Sequence, residues 1–288
     1  MTELRLVTYD AGSGERLGAA TADGVVDLSA IAPSMLALIE AGPDALAAAR
    51  SAAAAGAGAP VKADLLAPLR PRRNAFAVGR NYTEHIAESA RGRGIAAEIP
   101  ERIVFFTKPP GSLIGPHDAI EWDAAATQQL DYEVELTIVI GTGGRNIARA
   151  DAAAHVFGYT IGNDVSARDL QSSHVQWFKG KSLDRTSAIG PWIVPATDVP
   201  DIADARLWLT VNGETRQDSR TSLMIFDVPT IVEQLSLGMA LEPGDIIMTG
   251  TPAGIGHRMT PPIYLTDGDE VKAGIDGLGE IVNRVIKY

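Results

Sequence analysis

Acidic residues at alternate positions of one predicted β-strand are the first sign of chemistry in this chain. Between residues 131 and 140 polar residues alternate with aliphatic ones, so Asp131, Glu133 and Glu135 would share one face. Neighbouring carboxylates on that face lie roughly 7 Å apart and repel one another unless water or a cation neutralises them. The row fits a solvent-facing strand and a hard-cation site with oxygen ligands equally well.

A third carboxylate follows a second aliphatic strand, over residues 156–163. Asp164 ends this strand and could complete a site with Glu133 and Glu135, because three carboxylates leave room for water and substrate on Mg²⁺ or Mn²⁺. The alternative is that Asp164 only caps a helix. We expect a helix to begin here with Ser166 as its cap, and Asp169, inside that helix, competes for the ligand role.

A histidine and a glutamate three residues apart indicate acid–base chemistry. His85 and Glu88 would lie on one face of a short helix, where a hydrogen bond to the carboxylate would orient the imidazole and make it a better base. A surface pair without function is the alternative. The polar, glycine-rich residues 90–94 are typical of a lid that becomes ordered when a ligand binds.

Two further stretches could bind an anion. Lys181 follows the acids, and a lysine near an oxyanion stabilises developing charge and can transfer a proton; an ordinary loop lysine is the alternative. The predicted strand over residues 245–249 leads into a glycine-rich loop, where backbone amides and the Thr251 hydroxyl could bind a carboxylate. A tight turn between strands would explain the same glycines.

The pattern of predicted strands and helices divides the chain into two regions. Residues 1–70 contain a small β meander, two short helices and a linker, without histidine or clustered acids. Residues 71–288 contain many short β runs between Gly and Pro turns. We therefore expect an α+β, mostly β fold, with a small N-terminal α+β accessory domain at 1–70 and a catalytic domain at 71–288.

Composition limits the partners of the chain. Its 288 residues hold 25 Lys and Arg against 36 Asp and Glu, a net charge of −11, which argues against nucleic acid and anionic membranes and favours a small substrate. The absence of cysteine excludes disulfides and a thiolate nucleophile. No leader and no apolar run of roughly 20 residues is visible, so we expect a cytoplasmic protein.

Six motifs occur in an order that resembles the fumarylacetoacetate hydrolase superfamily over roughly residues 74–288. They are Gly-Arg-Asn-Tyr-x-x-His-x-x-Glu, Phe-x-x-Lys-Pro-Pro-x-Ser-Leu-Ile-Gly-Pro, Asp-Tyr-Glu-x-Glu-Leu, Asn-Asp-x-Ser-Ala-Arg-Asp-Leu-Gln, Lys-Ser-x-Asp and Thr-Gly-Thr-Pro-x-Gly-x-Gly. The resemblance implies a mixed β-sandwich roll with short helices and a homodimer. Members of this family hydrolyse acylpyruvates, decarboxylate oxaloacetate-like acids, or isomerise dienoate diacids.

The resemblance also implies roles for individual residues. It assigns Mg²⁺ or Mn²⁺, or Ca²⁺ in a crystal, to three ligands: Glu133, Glu135 and Asp164. His85 and Glu88 become a lid dyad that activates water, and Lys181 becomes the catalytic lysine. Contacts to the substrate fall to four residues: Tyr82, Arg168, Gln171 and Thr251.

The activity that we expect is metal-dependent hydrolysis of a C–C bond in a 2,4-dioxo acid of the acylpyruvate or fumarylpyruvate type, a reaction of aromatic catabolism. The dyad would deprotonate water for addition at the distal carbonyl, and cleavage would leave a pyruvate enolate on the metal beside Lys181. The alternatives at the same site are 2-hydroxyhepta-2,4-diene-1,7-dioate isomerisation and oxaloacetate-type decarboxylation. A non-catalytic binding protein would be expected to lack part of the metal triad, which is complete here.

Overall fold

The computed structural model describes residues 3–12, 14–56, 63–93 and 98–288. The strands in chain order are β1 (Leu6–Asp10), β2 (Glu15–Thr21), β3 (Gly24–Asp27), β4 (Ala75–Gly79), β5 (Val104–Lys108), β6 (Leu113–Ile114), β7 (Ile120–Trp122), β8 (Leu130–Asp131), β9 (Val134–Ile140), β10 (Val156–Asn163), β11 (Ser166–Ala167), β12 (Ser187–Pro195), β13 (Arg206–Val211), β14 (Glu214–Arg220), β15 (Ile246–Met248), β16 (Glu270–Ile275) and β17 (Gly279–Lys287). The α-helices are α1 (Met35–Ala41), α2 (Pro43–Ala55), α3 (Thr83–Arg93), α4 (Ala152–His155), α5 (Arg168–Ser173) and α6 (Val228–Ser236).

Most strands belong to one long mixed sheet, in the order β3-β2-β1-β12-β10-β9-β15-β4-β5, with β6 beside β12. A second sheet has the order β14-β13-β16-β17-β7. Aliphatic side chains from both sheets form one core, to which Leu136 and Ile138 of β9 and Leu209 of β13 belong. This arrangement confirms the predicted α+β, mostly β sandwich with short helices.

The face of β9 that carries the acids is covered as well. Alternate residues of a strand point to opposite sides, and Val139, on the side of Glu135, packs in a second core together with Leu38 and Met35 of α1. All residues of β9 are buried. The N-terminal segment therefore helps to exclude water from the sheet that carries the predicted ligands.

The N-terminal segment continues the main sheet. β1 pairs antiparallel with β12, with Leu6 opposite Ile193, and Arg50 of α2 forms an ion pair of 2.6 Å with Asp198. The division into domains at residue 70 stays a prediction. The β meander and two helices expected before residue 70 are present, and Ser34 caps α1 as its side chain accepts a hydrogen bond from the Ala37 amide.

Two local predictions around the acidic row are wrong. The strand expected over residues 131–140 is interrupted, because Asp131 pairs with Ser166 in the small β8–β11 sheet and β9 begins only at Val134. Ser166 does not cap a helix: it lies in β11, its hydroxyl donates to the Asp164 carbonyl at 3.1 Å, and α5 begins at Arg168. In the part of the chain that the structure describes, no helix is long and apolar enough to span a membrane.

Candidate active site and metal centre

The two glutamates at the start of β9 meet Asp164 at the end of β10. The strands are antiparallel, with Gly162 opposite Glu135, and the Asp164 amide donates to the Glu133 carbonyl at 2.8 Å. One carboxylate oxygen from each of the three acids lies within 4.8 Å of the others. Glu133, Glu135 and Asp164 are 6%, 1% and 0% exposed, so the solvent-facing interpretation of the acidic row is wrong.

Three cationic side chains contact these carboxylates. Lys181 Nζ lies 2.8 Å from Glu133 Oε2 and 2.6 Å from Asp164 Oδ2. Lys108 Nζ lies 2.7 Å from Asp164 Oδ1, and Arg168 Nη2 lies 2.6 Å from Glu133 Oε1. The predicted catalytic lysine therefore bridges two of the predicted metal ligands.

Glu135 and Glu133 differ in their electrostatic surroundings. Glu135 Oε2 accepts a hydrogen bond from the Gly250 amide at 2.8 Å. Burial, followed by repulsion from the other two carboxylates, raises the pKa of Glu135 well above its ordinary value. Burial alone would also raise the pKa of Glu133, but Lys181 and Arg168 outweigh it and lower that pKa to about 2.

The two buried lysines respond in opposite directions. Burial would lower the pKa of Lys181, but Asp164 and Glu133 together raise it above its ordinary value. At Lys108 burial prevails over the attraction of Asp164, and the pKa is lowered. Lys108 also donates hydrogen bonds to the carbonyl oxygens of Val165 and Lys181. Lys108 thereby links the backbone that follows Asp164 to the backbone at Lys181.

The cluster suits a divalent cation. With Asp131 included, four buried carboxylates are grouped with three buried cationic side chains among the described residues, so one negative charge within this buried group is not balanced. The raised pKa of Glu135 is the response expected of a carboxylate without a counter-charge. Carboxylate oxygens are the ligands that Mg²⁺ and Mn²⁺ prefer. The residues present therefore fit the predicted metal.

Asp131 supports the neighbouring glycine-rich loop. Its carboxylate accepts hydrogen bonds from the amides of Gly256 at 2.9 Å and His257 at 3.0 Å. It also forms an ion pair with Arg168 Nε at 2.9 Å. Because the same guanidinium contacts Glu133, the position of the loop is linked to that of a predicted metal ligand.

His85 and Glu88 lie on α3 and are largely buried. His85 Nδ1 and Glu88 Oε2 are 3.7 Å apart, which exceeds a normal hydrogen bond. Glu88 instead accepts a hydrogen bond from the Gly254 amide at 3.2 Å. The structure thus brings the pair close together but without the predicted hydrogen bond, and the carboxylate is anchored to the glycine-rich loop instead.

The described residues enclose a cavity of about 220 Å³ above the acidic cluster. Seven of the ten predicted site residues line it: His85, Glu133, Glu135, Arg168, Gln171, Lys181 and Thr251. Gln171 accepts a hydrogen bond from Arg168 Nη1 at 3.1 Å. The Thr251 hydroxyl donates to the Val134 carbonyl at 2.9 Å. This cavity is smaller than the roughly 300–1,000 Å³ of typical ligand pockets, which favours a short substrate.

The other three predicted site residues are not part of the cavity wall. Asp164 is completely buried and contacts Lys108 and Lys181. Glu88 does not line the cavity but lies next to His85, which does. Tyr82 is completely buried, and burial and then Glu135 raise the pKa of its hydroxyl. The predicted contact of Tyr82 with substrate therefore has no support in the cavity wall and stays a prediction.

Sequence reasoning assigned no role to five further cationic or ionisable residues at this site: Arg80, Glu98, Lys108, His257 and Arg258. A signal existed for Lys108, because a lysine at the end of an aliphatic strand, just before Pro-Pro, needs a buried counter-charge. His257 follows the last glycine of the loop, and its ring lies 2.9 Å from the Tyr264 hydroxyl. Only the fold brings it to the cavity.

Comparison with known proteins places the chain among related sequences. A family model described as "Fumarylacetoacetate (FAA) hydrolase C-terminal" matches residues 74–286. Oxaloacetate tautomerase YisK from Bacillus subtilis is 45% identical over 222 residues, 77% of this chain and 72% of that protein. Mitochondrial oxaloacetate tautomerase FAHD2B from Bos taurus is 36% identical over 99% of this chain and 92% of its own length.

A solved structure resembles the whole chain. "Fumarylacetoacetate hydrolase (EaFAH)" from Exiguobacterium antarcticum has a TM-score of 0.86 and 43% identity, and the match covers 99% of this chain and 100% of that one. The names of these similar proteins include both tautomerases and a hydrolase.

Proposed function

Because this chain belongs to the fumarylacetoacetate hydrolase family, a family of enzymes that act on small molecules, we propose that it catalyses divalent-metal-dependent proton transfer next to the carbonyl of a short 2-oxo diacid. The reaction is interconversion of the enol and keto forms of an oxaloacetate-type acid. The observation that carries the proposal is the buried triad of carboxylates, beside Lys181 and Arg168, at one end of a small cavity. The tautomerase names of two similar proteins support the choice of reaction.

The residues that would hold Mg²⁺ or Mn²⁺ are Glu133, Glu135 and Asp164. When bound there, the ion would supply Lewis-acid stabilisation of negative charge on the carboxylate and 2-oxygen of the substrate. Arg168 lines the cavity and would bind the same end of the acid. Positive charge at this end of the acid would favour the enolate over the keto acid, because the enolate carries more negative charge on its oxygen.

Ketonisation removes the proton of the enol oxygen, which leaves the enolate, and adds a proton to C3 from a side chain on the cavity wall. His85 is suited to this role, since its ring lines the cavity and imidazole is the commonest general acid–base group in enzymes. Glu88 beside it would stabilise the charged ring. Lys181, which forms ion pairs with Glu133 and Asp164 beside the cavity, would donate a hydrogen bond to the enolate oxygen rather than act as the base.

A second candidate is the hydrolysis of a C–C bond in a 2,4-dioxo acid, as the sequence predicts. It ends in a pyruvate enolate: His85 would deprotonate water, the hydroxide would add to the distal carbonyl, and the C–C bond beside that carbonyl would break to give a carboxylic acid and the enolate. The histidine–carboxylate pair at the cavity favours this reaction, and the similar Exiguobacterium protein carries the name of a hydrolase. Decarboxylation of oxaloacetate and isomerisation of a 2-hydroxydienoate diacid would pass through related enolates.

The test is the rate at which freshly dissolved enol-oxaloacetate loses its ultraviolet absorbance, with acetylpyruvate and fumarylpyruvate offered in parallel. We expect fast ketonisation that a chelator abolishes and Mg²⁺ or Mn²⁺ restores. Lys181→Met should remove most of the rate, whereas Lys179→Met, an exposed neighbour on the same turn, should not. Ketonisation no faster than in buffer, with pyruvate released from an acylpyruvate, would establish the second candidate instead. The homodimer and the cytoplasmic location stay predictions.

A further inference from the structure

Arg80 has a backbone conformation that arginine rarely adopts. Its φ is 60°, in the left-handed region, where a side chain with a Cβ costs roughly 1–2 kcal/mol relative to right-handed backbone. Glycine would take this position at little cost. Such an outlier is a reason to ask what the side chain does.

The surrounding structure holds Arg80 in this conformation. On one side Asn81 is completely buried, and its side chain binds the Phe226 backbone and the Thr249 carbonyl, the latter at 2.7 Å. On the other side Gly79 packs against the Trp177 ring so closely that a Cβ would lie 2.3 Å from it. Gly79 and Asn81 are therefore both held in place, and with them the backbone of Arg80 between them.

The same contacts place Arg80 beside the acidic cluster. A Cβ on Gly250 would lie 2.8 Å from the Asn81 Cβ, and the Gly250 amide donates to Glu135 at 2.8 Å. Asn81, the residue after Arg80, therefore packs against Gly250, whose amide binds the predicted metal ligand Glu135. The Arg80 side chain lines the same cavity as that ligand.

Arg80 differs from the other basic residues of this site in its pairing. Lys181 and Arg168 are both committed to buried carboxylates. Within the described residues, no ion pair or hydrogen bond is found for Arg80, and it is exposed. Glu98 lines the same cavity, yet the structure records no ion pair of 4.0 Å or less between it and Arg80.

We propose that Arg80 binds the distal carboxylate of the substrate and so selects diacids over monoacids. This inference rests on the proposed function, in which the 2-oxo acid end lies against Arg168 and the metal ligands. Arg80 lines the same cavity, and the described residues provide its side chain with no protein partner, so it is available to the other end of a short acid bound in that way. A guanidinium can bind a carboxylate through two parallel hydrogen bonds.

The first experiment compares oxaloacetate with its 4-methyl ester, which lacks the distal charge, and reads the change of each rate between parent and variant. In Arg80→Gln we expect kcat/KM for oxaloacetate to fall about 10- to 100-fold, the effect of one hydrogen-bonded charge pair. The ester should change by less than about threefold. Arg80→Lys should restore part of the preference, because it keeps the charge but not the two-pronged geometry.

Two glycine variants control for the backbone. Arg80→Gly suits the positive φ, so it should fold at least as stably as the parent while losing the diacid preference. Arg185 also has a positive φ, of 52°, but it pairs with Glu121 outside the cavity. Arg185→Gly should therefore leave the diacid preference unchanged, and a loss of preference in both variants would overturn the assignment.

The second experiment measures binding without turnover, so that it separates this inference from the proposed function. Calorimetry on the Mg²⁺-loaded protein compares L-malate with L-2-hydroxybutanoate, which have the same 2-oxygen end and cannot enolise. We expect a preference for malate that Arg80→Gln removes, even if oxaloacetate proves not to be the substrate. If the parent shows no preference, or Arg80→Gln keeps it, Arg80 does not bind the distal carboxylate.

Discussion

Glutamine in place of Glu135 and glutamine in place of Glu133 should have opposite effects on the stability of the metal-free protein. Glu135 lies among like charges, whereas Glu133 contacts both Lys181 and Arg168. We predict that Glu135→Gln stabilises the protein after chelation and that Glu133→Gln destabilises it. Both variants should lose the stabilisation that Mg²⁺ or Mn²⁺ gives the parent, since each removes a ligand.

The magnitudes follow from the distances. Two carboxylates near the 4.8 Å limit of the cluster repel by about 3 kcal/mol at an effective dielectric constant of about 20. The attraction of Lys181 offsets part of this repulsion at Glu135, so neutralising its charge should gain about 1–3 kcal/mol. Glu133→Gln weakens two buried ion pairs, of 2.6 and 2.8 Å, and should cost about 3 kcal/mol.

The pH dependence has a definite sign. The folded-state pKa of Glu135 is raised, so the metal-free parent loses stability as the pH rises from the ordinary glutamate value of about 4.3 through the raised folded value. Glu135→Gln cannot show this loss, and its advantage should therefore grow with pH. Urea unfolding of chelated protein at several pH values measures the effect, provided that the unfolding is two-state.

Equal destabilisation by the two substitutions would refute the reasoning. It would mean that the carboxylates contribute through packing or hydrogen bonds and that the charge imbalance of the cluster is not real. A metal-induced shift of Tm that survives in both variants would also contradict the assignment of the ligands.

Three further predictions concern His85, the packing of Gly79 and a buried ion pair at the other end of β9. His85→Ala should lower kcat about 10²- to 10⁴-fold, with the metal-induced shift of Tm unchanged; loss of that shift would show a structural role. Gly79→Ala puts a Cβ 2.3 Å from the Trp177 ring, so the ring must move, and we expect an altered tryptophan emission and a KM raised several-fold, whereas parent-like values would contradict the packing. Arg73→Met removes the partner, at 2.8 Å, of the buried Asp245 carboxylate and should cost about 3 kcal/mol in urea unfolding; a loss below about 1 kcal/mol would show that water replaces the arginine.

The three acids of this site could be predicted from the sequence because their positions follow the periodicity of two paired strands. Glu133 and Glu135 are two residues apart, and Asp164 ends the strand that pairs with theirs, so local pattern and short-range pairing were enough to bring the three acids together. The same reasoning misplaced the strand boundary at Asp131. Its carboxylate binds the amides of Gly256 and His257, a long-range contact that no local pattern reveals.

The cations that surround the acids were harder to predict for the same reason. Lys108 meets Asp164 through a fold that joins β5 to the end of β10, and nothing near either residue in sequence indicates that partner. The conformation of Arg80 is likewise set by Asn81, whose hydrogen bonds reach Phe226 and Thr249. The alternation of polar and apolar residues also could not show whether the acidic face is exposed to solvent. The N-terminal segment that covers part of that sheet is far from the acids in the chain.

The central claim is that the buried carboxylates, Lys181 and His85 serve proton transfer at the carbon next to a 2-oxo group. Solvent deuterium exchange at C3 of oxaloacetate, followed by NMR on the Mg²⁺-loaded protein, tests it most directly. We predict rapid, chelator-sensitive incorporation of deuterium with the carbon skeleton intact, and loss of the exchange in His85→Ala. Release of pyruvate without prior exchange, or exchange no faster than in buffer, would contradict the account.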